Sequence, residues 1–185
     1  MTKLLAFSAS YREHSMNRAL LELAVGIASN AGASVTVLDY AALEAPIYRG
    51  DSADEQLPEP VEMLSAALRK HDGILIATPE YNWSIPGGLK NIIDWLSVDR
   101  RAPLNGRTAL LMCASPSMRG GFSGLQHLRT PLESLGCQLY PQMIGISRAQ
   151  DQLQSGRLAR ESDQQHLNYC VTDFVRMTKA LVTYA

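Results

Sequence analysis

Thr78-Pro79-Glu80-Tyr81-Asn82-Trp83-Ser84-Ile85-Pro86-Gly87-Gly88-Leu89-Lys90-Asn91-Ile92-Ile93-Asp94-Trp95 reads as the end of a buried strand, a loop dense in aromatic and polar groups, and the first turns of a helix. The residues before it, Gly73 to Ala77, are a short continuous apolar run, the pattern of a strand covered on both faces in a parallel sheet. After it, Pro86 suits the first helical turn, where its missing N–H would be unbonded anyway. Leu89, Ile92, Ile93 and Leu96 then recur on one face of a helix running to about Val98. The loop therefore leaves the carboxyl edge of a central strand, which is where open α/β sheets bind ligands.

Outward from this stretch the same alternation repeats. Leu4 to Phe7 is the first, central strand, followed by the polar segment Ser8 to Asn17. A helix begins near Ser15 or Met16 and runs to about Asn30, with Leu20, Leu23, Ala24, Ile27 and Ala31 inward and Gly32 as its stop. Ser34 to Leu38 alternates and is rich in β-branched residues, a second strand. Right-handed crossover makes these two strands parallel neighbours. Ala45 to Pro60 has no periodicity and reads either as a border of a site or subunit interface or as a solvated connector. A helix from about Pro60 to Lys70 turns Val61, Leu64, Ala67 and Leu68 inward. Thr108 to Ala114 is another apolar strand, and Leu125, Leu128, Leu132 and Leu135 mark a helical face that Pro131 can bend. Cys137 to Pro141 is a short strand that Ile144 to Ile146 extends after a break, and a last helix spans about Glu161 to Thr183 with Leu167, Val171, Phe174, Thr178 and Leu181 as its stripe. The sum is an α/β three-layer sandwich, a five-stranded parallel sheet of order 2-1-3-4-5 in one domain covering residues 1–185.

Composition excludes several function classes. The 185 residues are 46% apolar, enough for a full core burying roughly 70% of the unfolded chain's surface. With 17 basic and 18 acidic residues and no like-charge run, no broad footprint for nucleic acid or an anionic membrane is present. Cys113, Cys137 and Cys170 are odd in number and far apart, against a disulfide framework or a zinc site, and Cys113 reads as a packing residue. The apolar N-terminal stretch is too short for a signal peptide core or a membrane span, so a reducing, cytoplasmic setting is the expectation.

In the expected sheet, three polar loops converge at one edge: Ser8 to Asn17, Pro79 to Ser84, and Ser115 to Gly121. The first carries neither Gly-x-Gly-x-x-Gly nor Gly-Lys-Ser/Thr. It does carry Ser10, Arg12, Ser15 and Asn17 at a helix start, where hydroxyl, guanidinium and amide donors join unpaired backbone N–H groups. That donor density suits a phosphate monoester, beside the simpler reading that Ser15 only caps the helix. In the second loop Tyr81 and Trp83 offer flat surfaces and Glu80, Asn82 and Ser84 offer hydrogen-bonding groups, a combination suited to a planar heteroaromatic ring. Trp95, well inside the helix, reads as core or interface. In the third, Gly120, Gly121 and Gly124 allow close backbone approach, and Arg119 faces either an anionic substrate group or solvent. His14, His71, His127 and His166 are scattered, and neither a nucleophile–base pair nor metal spacing is legible. Such a site suits chemistry carried by a cofactor.

These residues resemble a known family. Thr78 to Trp95 is similar to the hallmark of the NAD(P)H-dependent FMN reductases, a flavodoxin-like family that includes quinone, chromate and azo-compound reductases. Ser10 to Asn17 resembles its Ser-x-Arg-x-x-Ser-x-Asn phosphate loop, and Ser115-Pro116, Gly120-Gly121 and His127-Leu128-Arg129 resemble its third loop, so the likeness runs from Lys3 to about Pro141. Ala9 replaces the usual Gly before the Ser of the first loop, Trp83 stands where Tyr or another residue is common, and Ser117-Met118-Arg119 makes the third loop differ from the shorter glycine-rich form. The resemblance implies FMN as cofactor, NADPH or NADH as co-substrate, and a small-molecule electron acceptor taking its turn at the same site. It implies FMN contacts from Ser10, Arg12, Ser15, Met16, Asn17, Pro79, Glu80, Tyr81, Asn82, Ser84, Ser115, Ser117, Gly120 and Gly121, with Trp83 and Arg119 on the substrate side. It further implies a homodimer or homotetramer, with Trp95 and the Ala45 to Pro60 loop as interface parts. A flavodoxin-type electron carrier and a flavin- or redox-sensing binding protein are the alternatives; the net charge of −1 lacks the acidic docking surface of the first.

Overall fold

The computed structural model describes residues 1–50, 56–154 and 156–183. In chain order its elements are β1 (Lys3–Ser8), α1 (Met16–Asn30), β2 (Ser34–Val37), a 3-10 turn (Tyr40–Leu43), α2 (Glu59–Lys70), β3 (Gly73–Ala77), α3 (Gly87–Ser97), β4 (Thr108–Ala114), α4 (Phe122–Ser134), β5 (Gln138–Leu139), β6 (Ile144–Ile146), α5 (Ala149–Gln152), β7 (Leu153–Gln154), β8 (Arg157–Leu158) and α6 (Glu161–Thr183). The sheet order is β2-β1-β3-β4-β5, all parallel, with β6 pairing farther along β4. This is the flavodoxin-like doubly wound arrangement, whose strand order reverses between β1 and β3.

The central strands read as unbroken apolar runs because each is covered twice. Leu5, Phe7, Ile74, Ile76, Ala109 and Leu111 pack on α2, α3 and α4, whereas Leu4, Ala6, Leu75, Leu110 and Met112 pack on α1 and α6. Alternation along a strand thus feeds two apolar layers, and polar side chains occur only at strand ends, Lys3 and Ser8 in β1 and Thr108 in β4.

Several expectations shift. The buried face of α1 is Leu20, Leu21, Ala24 and Ala28, while Leu23, Ile27 and Ala31 are half-buried, because α1 is wedged between the sheet and α6. Ala67 is likewise only half-buried, and Ser65 takes the inward place. Pro86 is the N-cap of α3 rather than its first helical residue, at φ −58° and ψ 139°. Leu135 lies just past α4, which carries Pro131 inside it. Between the sheet and α6 the chain also forms α5 and the β7–β8 hairpin, which the sequence reading does not include.

Residues 51–55 of the Ala45 to Pro60 excursion lie outside the described residues. Its first part is stapled to α3. The Asn91 side-chain amide donates to the carbonyls of Ala45 (3.1 Å) and Pro46 (3.0 Å) and accepts from the Tyr48 N–H (2.8 Å). Trp95, only 4% exposed, donates its indole N–H to Pro46 at 2.7 Å and meets Tyr48 edge-on at 5.2 Å. Within the chain Trp95 is therefore a core residue.

At the amino edge, opposite the loops, Asp99 sits 7% exposed and ties the α3–β4 connection to α2. It accepts from Ser65 at 2.5 Å and from Arg101, whose guanidinium also forks onto Glu62 at 2.7 and 2.6 Å. Burial raises the Asp99 carboxyl, but hydrogen bonds from Arg101 and Ser65 outweigh it and hold it at about 2, below its ordinary 3.8. A lowered folded pKa stabilises the fold above the unfolded value, and that stability is lost as pH falls from 3.8 towards about 2. Asp99→Asn is expected to cost about 2 kcal/mol near neutrality and to flatten this acid limb. Urea unfolding followed across the acid range measures both; an unchanged midpoint in the variant would contradict the assignment.

Candidate functional site

The three loops leave one edge because the backbone ladder continues one step past each strand. Ala9 N–H donates to the Ala77 carbonyl at 2.8 Å, Thr78 N–H to Met112 at 2.8 Å, and Ser115 N–H to Ile146 at 3.0 Å. Since β1, β3 and β4 are neighbours, the loops emerge side by side.

In the first loop Ser10 is buried, and its hydroxyl accepts weakly from Arg12 N–H at 3.4 Å. Ser15 is the α1 N-cap, extended at φ −79° and ψ 121°, accepting from Arg18 N–H at 3.3 Å. Capping is thus observed, and it leaves the Ser15 hydroxyl proton free to donate. The N–H groups of Met16 and Asn17, at the first two helical positions, have no acceptor within the helix. Arg12 is exposed, and among the described residues no carboxylate pairs with its guanidinium. Asn17 is spent otherwise: its amide donates to the Ala114 carbonyl at 3.0 Å and accepts from the Ala114 N–H at 2.8 Å. Its side chain pins the start of α1 to the end of β4, and only its backbone N–H points forward along the helix axis.

The second loop folds into a two-residue turn. Tyr81 and Ser84 exchange backbone hydrogen bonds of 2.9 and 3.0 Å, and Asn82 (φ 49°) and Trp83 (φ 66°) both take positive φ, as a type I′ turn demands. Asn tolerates that region; a bulky indole there costs on the order of 1 kcal/mol or more, a strain that clusters at functional sites. Glu80 turns away from the turn and accepts the Gly124 N–H at 2.7 Å. Gly124 is the third residue of α4, whose own N-cap, Gly121, has no side chain. Glu80 therefore caps α4 from another loop, with the helix dipole in its favour. Ser84 and His127 add a second tie at 3.1 Å.

The third loop is held from within. Ser115 Oγ accepts from Ser117 N–H (3.2 Å), Ser117 Oγ from Arg119 N–H (3.3 Å), and the two hydroxyls lie 3.0 Å apart. A β-carbon on Gly120 would fall 2.9 Å from the Gly145 backbone, and one on Gly121 2.1 Å from the Cys113 sulfur. Close approach is thus made to the protein's own β4 and β6. Burial, and next the Glu80 carboxylate, push the Cys113 thiol up to about 12, so it is a packing group. Arg119 reaches across the mouth of the site, its guanidinium carbon 4.6 Å from the centre of the Trp83 ring.

A flank unforeseen in the sequence is made of tyrosines. Tyr40 stacks on Phe7 (6.2 Å, 9°) and lies against Tyr11 (4.8 Å). Tyr11 and Tyr40 hydroxyls each come within 3.2 Å of the place a β-carbon on Gly88 would take, at the uncapped start of α3. The Tyr40 hydroxyl is buried without a hydrogen-bond partner, and burial, then the nearby Tyr11 and Tyr81, raise its pKa. The only advance signal was the paired Gly87-Gly88 of the hallmark.

Comparison with known proteins bears on these three loops. The profile of the family described as NADPH-dependent FMN reductase matches residues 2–151. A quinone reductase of Escherichia coli K12 is 37% identical over 133 residues, covering 70% of this chain and 71% of its own. An NAD(P)H-dependent FMN reductase of Pseudomonas aeruginosa is 37% identical over 171 residues, 89% of this chain and 91% of its own. Among solved structures, the flavoenzyme NAD(P)H:(acceptor) oxidoreductase FerB of Paracoccus denitrificans superposes with a TM-score of 0.82 at 25% identity, covering 97% and 98% of the two chains.

Proposed function

This chain belongs to the NADPH-dependent FMN reductase family, and from that premise we propose that its three carboxyl-edge loops hold FMN between them. It is an FMN-dependent NAD(P)H oxidoreductase acting on small-molecule acceptors. The observation that carries the site assignment is the surplus of donors at the start of α1. Ser15 keeps a proton to give, Met16 and Asn17 present backbone N–H groups, and the Arg12 guanidinium is exposed without an acid partner among the described residues. A dianionic phosphate matches that set.

Ser10, Arg12, Ser15, Met16 and Asn17 would hold the phosphate end, Pro79 to Asn82 with Ser84 the polar edge of the ring, and Ser115, Ser117, Gly120 and Gly121 its other side. When bound, FMN would supply the two-electron redox chemistry between NAD(P)H and the acceptor. The chain's own part is to fix and shape. Asn17 and Glu80 act as positioning residues: the first ties loop one to the root of loop three, the second ties loop two to α4. Trp83 and Arg119 stand on the substrate side.

The protein is expected to purify yellow, or to become so with added FMN, and to bleach anaerobically on addition of NADH or NADPH. A colourless protein that gains nothing from FMN would overturn the reading. Among the described residues no helix is long and apolar enough to cross a membrane. Exposed Tyr11, Tyr81, Trp83, Met118 and Phe122 around the three loops support a homodimer or homotetramer, which light scattering measures.

A further inference from the structure

Trp83 of the second loop and Arg119 of the third are in contact with each other. Trp83 is 54% exposed on the strained turn, and Arg119 lies over its ring at 4.6 Å, so the pair bridges the second and third loops at the open mouth of the site. Both members are held. The turn is closed by reciprocal backbone bonds between Tyr81 and Ser84, and the Arg119 N–H is fixed on Ser117 Oγ. A guanidinium held over an aromatic ring keeps N–H donors at its edge for a carboxylate or sulfonate. The neighbouring acid, Glu80, is committed to the α4 amide.

We infer that Trp83 and Arg119 form a shelf selecting planar aromatic substrates that carry an anionic group, a carboxylate or sulfonate beside the ring. The flat ring enters beside the guanidinium, against the part of the indole left exposed, and the anion forks onto the guanidinium edge. Side-chain freedom that an unrestrained arginine would lose on binding is already lost here, so the selectivity arises from preorganisation. The inference rests on the substrate-side placement of these residues in the proposed function.

The test compares naphthoquinone sulfonate with unsubstituted naphthoquinone on the FMN-loaded protein with NADH. The ratio of their kcat/KM values is expected to favour the sulfonate, to fall about tenfold in Arg119→Ala, the worth of one half-exposed charge-assisted contact, and to recover partly in Arg119→Lys. In the wild type the ratio should also decline as ionic strength rises. A ratio unmoved by Arg119→Ala, or insensitive to salt, would overturn the shelf. Calorimetric binding of naphthalene sulfonate against naphthalene methanol reads the same selectivity without turnover. Selective binding without reduction of either quinone would sink the oxidoreductase reading and leave the shelf standing; turnover without anion preference would do the reverse.

Discussion

Replacing Arg12 and Ser15 together by alanine is expected to weaken FMN binding by about 3 kcal/mol, more than a hundredfold in Kd. Charge-assisted bonds contribute roughly 1.5 to 3 kcal/mol each, and the exposure of Arg12 keeps its share towards the lower end. Ser15 would then serve twice, because its hydroxyl also caps α1 through Arg18 N–H. Losing the cap costs about 1 kcal/mol of stability whether or not FMN is present. Ser15→Asp separates the two: a carboxylate caps a helix start as well as a hydroxyl but repels a phosphate. Apo-protein melting should therefore stay near the wild-type value while FMN affinity drops. Fluorescence titration of apo-protein with FMN, alongside thermal melts, gives both quantities. Undiminished affinity in the double variant would show that the first loop is a cap alone.

Gly121→Ala should damage fold and site together. At φ 76° an alanine is strained, and its β-carbon would fall 2.1 Å from the Cys113 sulfur and 3.0 Å from its β-carbon, both in the buried centre of the sheet. Strain of about 1 kcal/mol and overpacking of about 1 to 3 kcal/mol sum to a loss of about 3 kcal/mol. Relief by moving the third loop outward would pull Gly124 from Glu80 and break the cap that binds the second loop to α4. Flavin retention is thus expected to fall with stability. Adding Cys113→Ala removes the offending sulfur and should restore part of the stability, measured by denaturant unfolding of both variants. No rescue by the second substitution would mean that backbone strain, not contact with Cys113, dominates.

The pairing of Ser65 with Asp99 and Arg101 at the opposite edge shows a different kind of polar burial. There each charged group finds its partner inside the chain, so the cluster contributes stability. At the carboxyl edge, among the described residues, the Arg12 guanidinium has no acid partner, which is what the proposed phosphate site requires.

Local order was legible from the residues alone, because strand and helix periods and cap chemistry are set between near neighbours. The apolar runs at Leu4 to Phe7, Gly73 to Ala77 and Thr108 to Ala114, the polar loops that follow them, and the strand order they imply all appear in the fold. The buried face of α1 was less so, since α6, remote in sequence, decides which side is covered twice. The roles of individual polar groups were hidden for the same reason. Asn17 and Glu80 look identical in kind to Ser15 and Ser84 as loop donors and acceptors. Yet Asn17 is spent on Ala114, 97 residues away, and Glu80 on Gly124, 44 residues away. The meeting of Trp83 with Arg119 is equally remote. A side chain's chemistry is fixed by its type, but whether that chemistry faces a ligand or another loop depends on which distant backbone group the packing brings within hydrogen-bond reach.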